Sequence, residues 1–446
     1  MSSDVLERSV EYQGFERRGV IAFSWSGGIP MDVDLDAGAY FSANSAVYSV
    51  TADEMINGEI LPLAGSWLDA GQERARATTL RPPESQQKRG MAVSAQKIAI
   101  IGGDGIGKEV MAVGRKILDA YAQKRGIAIE VVELDLGADR FLRDGTTFPA
   151  EDQKMIREEC SAVLLGALGD PRVPDLGYAR DILFGLRFGL DLFSNIRPVI
   201  CLHDRLMPLT GKKASDCNTV VFRENTEGVY VGIGGNFKKG TPDEVAINED
   251  LNTRKGVERV IRAAFEYAVS HGRKRVLMSD KSNAMQYAHG LWQRTFKEVA
   301  AEYPAIESKH MYVDALCLQM IRTPEMLDVV VTNNLFGDIV TDLGAGLQGG
   351  LGMAASANVG AGKVGLFEPV HGSAPDIAGK DKANPLATVL TIGMMLDWLG
   401  HPKAEQELTD IVRAAIDQKQ CTVDVGGTLG TKAVGEFVLG QVAALA

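Results

Sequence analysis

Cysteine is scarce in this 446-residue chain. The five present (Cys160, Cys201, Cys217, Cys317, Cys421) are odd in number, scattered and never spaced CxxC, which excludes a disulfide framework and a zinc knuckle. A reducing cytoplasm is the compartment expected from such usage. Long apolar runs are missing too: none reaches the roughly 18 residues of a membrane span. The first 30 residues also lack the basic-then-apolar order of a signal peptide. Basic charge is in deficit, since 47 Lys and Arg against 58 Asp and Glu leave a formal net charge of −11. That sign is wrong for non-specific binding to nucleic acid or an anionic membrane, so a small anionic ligand must be held by local arginines. There is no fixed-period repeat and no low-complexity tract. With 45% hydrophobic and 24% charged residues, the chain has the composition of a soluble globular protein able to bury a large core.

Residues 1–90 carry 13 acidic and 8 basic side chains, and no sustained period of 2 or 3.6. They end in an arginine- and proline-containing stretch, Gln72 to Gly90, directly before Met91. The expectation is a disordered or non-native N-terminal extension, Met91 being a plausible start. Thirteen acids argue against a transit peptide. From Lys97 onward, apolar strand-like runs alternate with amphipathic helical patterns, the order of an α/β protein with a largely buried sheet. Strands are expected at Lys97–Gly102, Ile129–Asp135, Ala162–Ala167, Thr219–Arg223, Arg275–Ser279, Leu327–Thr332 and Val364–Phe367. A helix is expected from Thr253, its N-cap, to His271.

The cluster Gly102, Gly103, Asp104, Gly105, Ile106, Gly107 follows a strand, yet GxGxxG counted from Gly103 needs glycine where Lys108 stands. A tight strand-to-helix turn is therefore favoured over a Rossmann fingerprint. Arg187, Arg197 and Arg223 lie in LRFGLDLFSNIRPV and VVFRENTEGVYVG, and three cations in an acidic protein suit a dicarboxylate held by forked pairs. In NNLFGDIVTDL, Asp338 and Asp342 stand four apart on a helix and project from one face toward a hard cation. Asp314 closes such a site if the fold brings it near. Lys281, just past a strand end in SDKSNAM, is a candidate base, and Tyr230 a candidate proton donor. The run from Glu368 through His371, Gly372, Ser373, Ala374, Pro375, Asp376 and Ile377 to Asn384 offers backbone N–H groups, and a carboxylate for a ribose hydroxyl.

Taken together, GDGIG, LR with NIRP ten residues on, RENTEGVY, SDKSNAM, NNLFGDIVTDL and EPVHGSAPDIAGK with ANP resemble the isocitrate/isopropylmalate dehydrogenase family over about residues 95–446. The resemblance implies a two-domain α/β fold with a mixed sheet, not Rossmann, the first domain being 91–197 plus 345–446 and the second 198–344. It implies Arg187, Arg197 and Arg223 on the substrate carboxylates, Lys281 and Tyr230 as base and acid, and Mg²⁺ or Mn²⁺ on Asp314, Asp338 and Asp342. It also implies NAD on the loop from Glu368 and His371 to Ile377 with Asn384, and homodimers in which each site borrows Lys281 and Asp314 from the partner subunit. Where relatives acting on isocitrate place a serine and an asparagine, this chain has Asp181 and Leu183, with Phe184 next. Asp181 would repel a third carboxylate, whereas Leu183 and Phe184 suit an isopropyl group, so isopropylmalate is expected over isocitrate. Arg180, in place of a glutamate common in the isopropylmalate branch, keeps malate and tartrate open. A silent regulatory subunit is disfavoured because the lysine, tyrosine and aspartates are all present. Asp376, where NADP-using relatives carry lysine, predicts NAD.

Overall fold

The computed structural model describes residues 95–446 throughout. Before them it describes only two antiparallel strand pairs, Val20–Phe23 with Met31–Asp34 and Ala39–Ala43 with Ala46–Val50; the expectation of a disordered extension otherwise falls outside the described residues.

Strand β1 (Gln96–Gly103) leads into α1 (Ile106–Arg125), which ends at Gly126 in the left-handed conformation usual after a helix. Then come β2 (Ile129–Glu133), α2 (Ala138–Asp144), α3 (Ala150–Glu159), β3 (Ala162–Ala167) and α4 (Gly177–Gly189). All six residues of β3 are buried, as its unbroken apolar run requires of a strand covered on both faces. Strands β4 (Ser194–Ile200) and β5 (Asn218–Glu224) form an antiparallel pair, followed by a small hairpin, β6 (Gly234–Phe237) with β7 (Val245–Asn248). Next is α5 (Arg254–Ser270), and the expected N-cap is present: Thr253 Oγ1 accepts from Gly256 N at 3.0 Å. The chain continues through β8 (Arg275–Asp280), α6 (Ala288–Ala300), β9 (Glu307–Tyr312), α7 (Val313–Arg322), β10 (Val329–Thr332) and α8 (Asn334–Leu347). It closes with β11 (Ala355–Val359), β12 (Gly365–Pro369), α9 (Leu386–Trp398), α10 (Ala404–Asp417) and α11 (Thr431–Ala444).

Ten strands make one mixed sheet in the order β9-β8-β10-β5-β4-β11-β12-β3-β1-β2. The strands of either wing run parallel to their neighbours, while the pairings β5–β4, β4–β11 and β11–β12 in the middle are antiparallel. One wing draws its strands from residues 198–344 and the other from both ends of the folded region, with β4 astride the seam. Phe222, Val260, Phe265 and Trp292 pack on the first wing, Ile101, Tyr178, Ile182 and Leu186 on the second. Helix α9 is apolar around most of its circumference and correspondingly buried. The chemistry-bearing residues gather where strands give way to loops: Arg223 near the end of β5, Lys281 after β8, Asn333 after β10. These are the carboxyl ends of parallel strands, where open α/β sheets place their ligands.

Candidate active site

Two buried guanidiniums meet the carboxylate of Asp338, and a third pairs with Glu368. Arg223 comes from β5, Arg197 from β4 and Arg187 from the last turn of α4, and each is less than one-tenth exposed. Arg223 Nη1 donates to Asp338 Oδ1, while its Nε and Nη2 reach Asn334 Oδ1 at 3.0 and 2.7 Å. Arg197 donates to Asn195 Oδ1 (2.6 Å) and Thr341 Oγ1 (2.7 Å), with Nη2 3.6 Å from Asp338 Oδ1. Arg187 Nη2 reaches Glu368 Oε1 at 2.9 Å, leaving its buried Nε without a partner among the described residues. Tyr230 donates to Asp338 Oδ2 at 3.1 Å, and Arg223 lies over its ring, 5.2 Å from the centroid.

Charge here is unbalanced, three guanidiniums against the carboxylates of Asp338 and Glu368. Burial, with Arg223 close by, pushes the Arg197 guanidinium down to about 9, and burial beside Arg187 pushes Arg223 down as well. Arg223 and Arg197 outweigh the burial of Asp338 and hold its carboxyl below its ordinary value. Burial raises the Tyr230 phenol, which keeps its proton available for donation. The cluster carries a surplus of positive charge, which suits an anionic ligand.

Asp338 and Asp342 sit one turn apart on α8, as their spacing predicts. Asp314 stands elsewhere, at the start of α7, where it accepts from Lys281 Nζ at 2.7 Å; that hydrogen bond holds the Asp314 carboxyl below its ordinary value. No three His, Cys, Asp or Glu side chains converge as metal ligands among the described residues of the single chain. The predicted residues thus form two groups, one of Arg187, Arg197, Arg223, Tyr230 and Asp338 with Asp342 exposed one turn further along α8, the other of Lys281 and Asp314. Leu183 and Phe184 lie on α4, Leu183 one turn before Arg187, and both are partly buried; Phe184 stacks on Phe188 with centroids 5.1 Å apart.

The loop after β12 lies against the glycine turn after β1. Gly103 and Gly105 have φ of 70° and 51°, and a Cβ on Gly105 would collide with the Ser373 carbonyl oxygen, which accepts from Ile106 N at 2.8 Å. This is the close-packed turn expected. Buried Asp104 pins three segments together, accepting from Ala138 N (2.7 Å), Gly169 N (2.8 Å) and the Tyr178 hydroxyl (2.6 Å). Along the loop His371 is buried, which lowers its pKa, and its Nε2 has no partner among the described residues. Ala374 has a φ of 39°, Gly372, Pro375 and Asp376 are exposed, and Ile377 packs partly buried. Asn384 caps α9 through Leu386 N (3.0 Å) and donates to Asp424 Oδ2 (2.9 Å).

Sequence reasoning missed the amides that aim these groups. Asn358 Oδ1 accepts from Asn195 (2.9 Å) and Asn225 (3.0 Å), and its Nδ2 donates to Glu368 Oε1 (3.0 Å), so a buried amide chain orients both Arg197 and Glu368. Asn334 was legible only as part of NNLFGD. Glu224 is likewise buried, its carboxyl pushed up to about 7 by burial although Thr226 and Glu227 donate to it.

Comparison with known proteins identifies the family. The sequence matches the family model for isocitrate/isopropylmalate dehydrogenase over residues 97–438. It is 42% identical over 355 residues to 3-isopropylmalate dehydrogenase of Thermobifida fusca, covering 79% of this chain and 99% of that one. It is 45% identical over 328 residues to the enzyme of the same name from Streptomyces griseus, covering 73% and 93%. Among solved structures, isocitrate dehydrogenase from Methylococcus capsulatus superposes with a TM-score of 0.71 at 37% identity, covering 78% of this chain and 99% of that one.

Proposed function

Because the chain belongs to the isocitrate/isopropylmalate dehydrogenase family, we propose that it is a cytoplasmic enzyme oxidising and decarboxylating 3-isopropylmalate with NAD, releasing 4-methyl-2-oxopentanoate for leucine synthesis. One observation supports the substrate assignment: the partly buried pair Leu183–Phe184 precedes buried Arg187 by about one turn on the same helix, α4. Two carboxylates of the substrate meet guanidiniums, and the isopropyl group meets hydrocarbon, worth about 1.5–3 kcal/mol for a group of that size.

The donor chemistry fits a divalent ion. Asp338 and Asp342 present carboxylate oxygens, and Asp314 of the partner subunit completes an all-oxygen set suited to Mg²⁺ or Mn²⁺. The loop from Glu368 to Ile377 fits NAD, having exposed backbone at Gly372 and the orphan Nε2 of His371. When bound, these groups supply Lewis-acid polarisation and a hydride acceptor. Arg187, Arg197 and Arg223 fix the acid through its carboxylates. Lys281 of the partner subunit accepts the hydroxyl proton as the C2 hydrogen leaves with its electron pair, giving a 2-oxo acid. After the β-carboxylate departs as CO₂, Tyr230, whose raised pKa keeps it protonated, donates to the carbon. Its contact with Asp338 holds it beside the same reacting atoms.

The two groups of residues meet if a second copy docks, and the homodimer is part of the proposal. Ile233, Phe237, Val245 and Ile247 on and beside the β6–β7 hairpin are all exposed, apolar surface suited to such a contact. Isocitrate is the second reading, favoured by the likeness to the Methylococcus structure; Asp181, exposed on α4, opposes it by repelling a third carboxylate. Initial rates with isopropylmalate, isocitrate, malate and tartrate, each with NAD and Mn²⁺, test the assignment. Isopropylmalate is expected to be used most efficiently, and a faster reaction with any of the others would overturn it.

A further inference from the structure

A wholly buried imidazole stands behind the reacting groups. His289, in the first turn of α6, is 0% exposed. Its Nδ1 accepts from the backbone N–H of Lys281 at 2.7 Å. Its Nε2 lies 3.0 Å from Asn333 Nδ2 and 3.4 Å from Asp250 Oδ2. The ring also meets Phe336 edge to face, centroids 5.3 Å apart.

Each neighbour leads to a different part of the site. Lys281 is the base. Asn333 is the N-cap of α8, its Oδ1 accepting from Phe336 N at 2.9 Å, and so sets the start of the helix that carries Asp338 and Asp342. Asp250 precedes Leu251, whose carbonyl accepts from Gly228 N at 2.8 Å, two residues before Tyr230. Three loops leaving different elements, with the base, the metal-facing helix and the acid on them, thus close on one side chain that touches no substrate.

We propose that His289 is the positioning residue of this reaction, the joint that holds Lys281 in register with α8 and with the Tyr230 loop. The inference rests on the roles given above to Lys281, Asp338 and Tyr230. If Lys281 acts on the partner's substrate, the same joint also ties what one subunit lends to what it keeps, so the two sites of a dimer are mechanically linked.

Three substitutions separate positioning from mere stability. His289→Phe keeps an aromatic ring but removes both nitrogens. His289→Asn keeps an acceptor near the position of Nδ1, within reach of Lys281 N–H, and His289→Gln places its amide nearer the position of Nε2. Folded sites are counted by NADH titration, since the cofactor loop lies on the other wing of the sheet, and kcat is expressed per NADH site with whichever of the four acids the wild type uses best. A wrong substrate assignment therefore shows in the wild type alone and leaves this test intact. We expect kcat per site to fall about 10- to 100-fold in His289→Phe, the scale of a small misplacement of a reacting group. The KM for NAD should stay within about twofold, and His289→Asn should recover most of the loss. If His289→Phe does not accumulate, the Asn and Gln variants decide: Asn should exceed Gln by about fivefold or more. Wild-type kcat per site in the Phe variant, or equal Asn and Gln values, would show that the imidazole only stabilises the fold.

Discussion

Asp338 has two tasks at the residue scale. It neutralises part of the charge of Arg223 and Arg197, and in the proposed reaction it would offer oxygen to a cation. Asp338→Asn keeps the shape and removes the charge, so we expect kcat/KM with Mn²⁺ to fall about 100-fold or more, the several kcal/mol a lost Lewis-acid contact represents. Chelation of the wild type should abolish turnover, and readdition of Mn²⁺ should restore it; an undiminished rate after chelation would make the aspartates structural. Asp376 is exposed on the loop after β12, and in the proposed function it would accept from a ribose 2′-hydroxyl and repel a 2′-phosphate. The ratio of kcat/KM values should favour NAD over NADP, and Asp376→Lys should narrow or invert it; an NADP preference in the wild type would remove this role. The arginines, aspartates, lysine and tyrosine were legible in the sequence because each carries a chemistry few residue types can supply. His289, Asn195 and Asn358 were not, because a buried imidazole or amide has meaning only through partners far away in the chain. For Asn358 these lie 163 and 133 residues off.

At the scale of elements, the proposed specificity rests on helix α4. Its N-terminal half presents Leu183 and its last turn Arg187, so one rigid body sets the distance between the apolar pocket and the carboxylate clamp. Leu183→Asn should lower kcat/KM for isopropylmalate about tenfold, since an amide against the isopropyl group loses its hydrogen bonds to water. Efficiency equal to wild type would take Leu183 out of the pocket. The wing strands announced themselves as apolar runs, except the edge strand β9, whose Glu307–Tyr312 run is polar and mostly exposed, and β3 has the bounds expected. The central strands did not. β4 contains Pro198, which cannot donate to the ladder, and β11 buries Ser356 and Asn358 where alternation would place apolar side chains. Asn358 belongs to the amide chain that orients Arg197 and Glu368, and Ser356 Oγ donates to the Glu368 backbone carbonyl at 2.8 Å, so buried polar pairing replaced the apolar signal for a strand.

For the whole molecule, every residue assigned a role lies between Gly103 and Asp424, and the family match spans 97–438. A chain beginning at Met91 should therefore equal the full chain in melting temperature, oligomer mass and specific activity; aggregation or loss of most activity would assign residues 1–90 a necessary part. The central claim is that catalysis joins Arg187, Arg197, Arg223, Tyr230, Asp338 and Asp342 of one subunit to Lys281 and Asp314 of another. Mixing two inactive variants tests it most directly. Lys281→Ala and Asp338→Asn are each expected to be nearly inert, but after dissociation and reassociation in equal amounts half the dimers are hybrids, and one site in each hybrid is intact. Recovery of about a quarter of wild-type activity is the predicted result. No recovery from a mixture shown by mass to contain hybrids would place all eight residues in one chain's site and contradict the account.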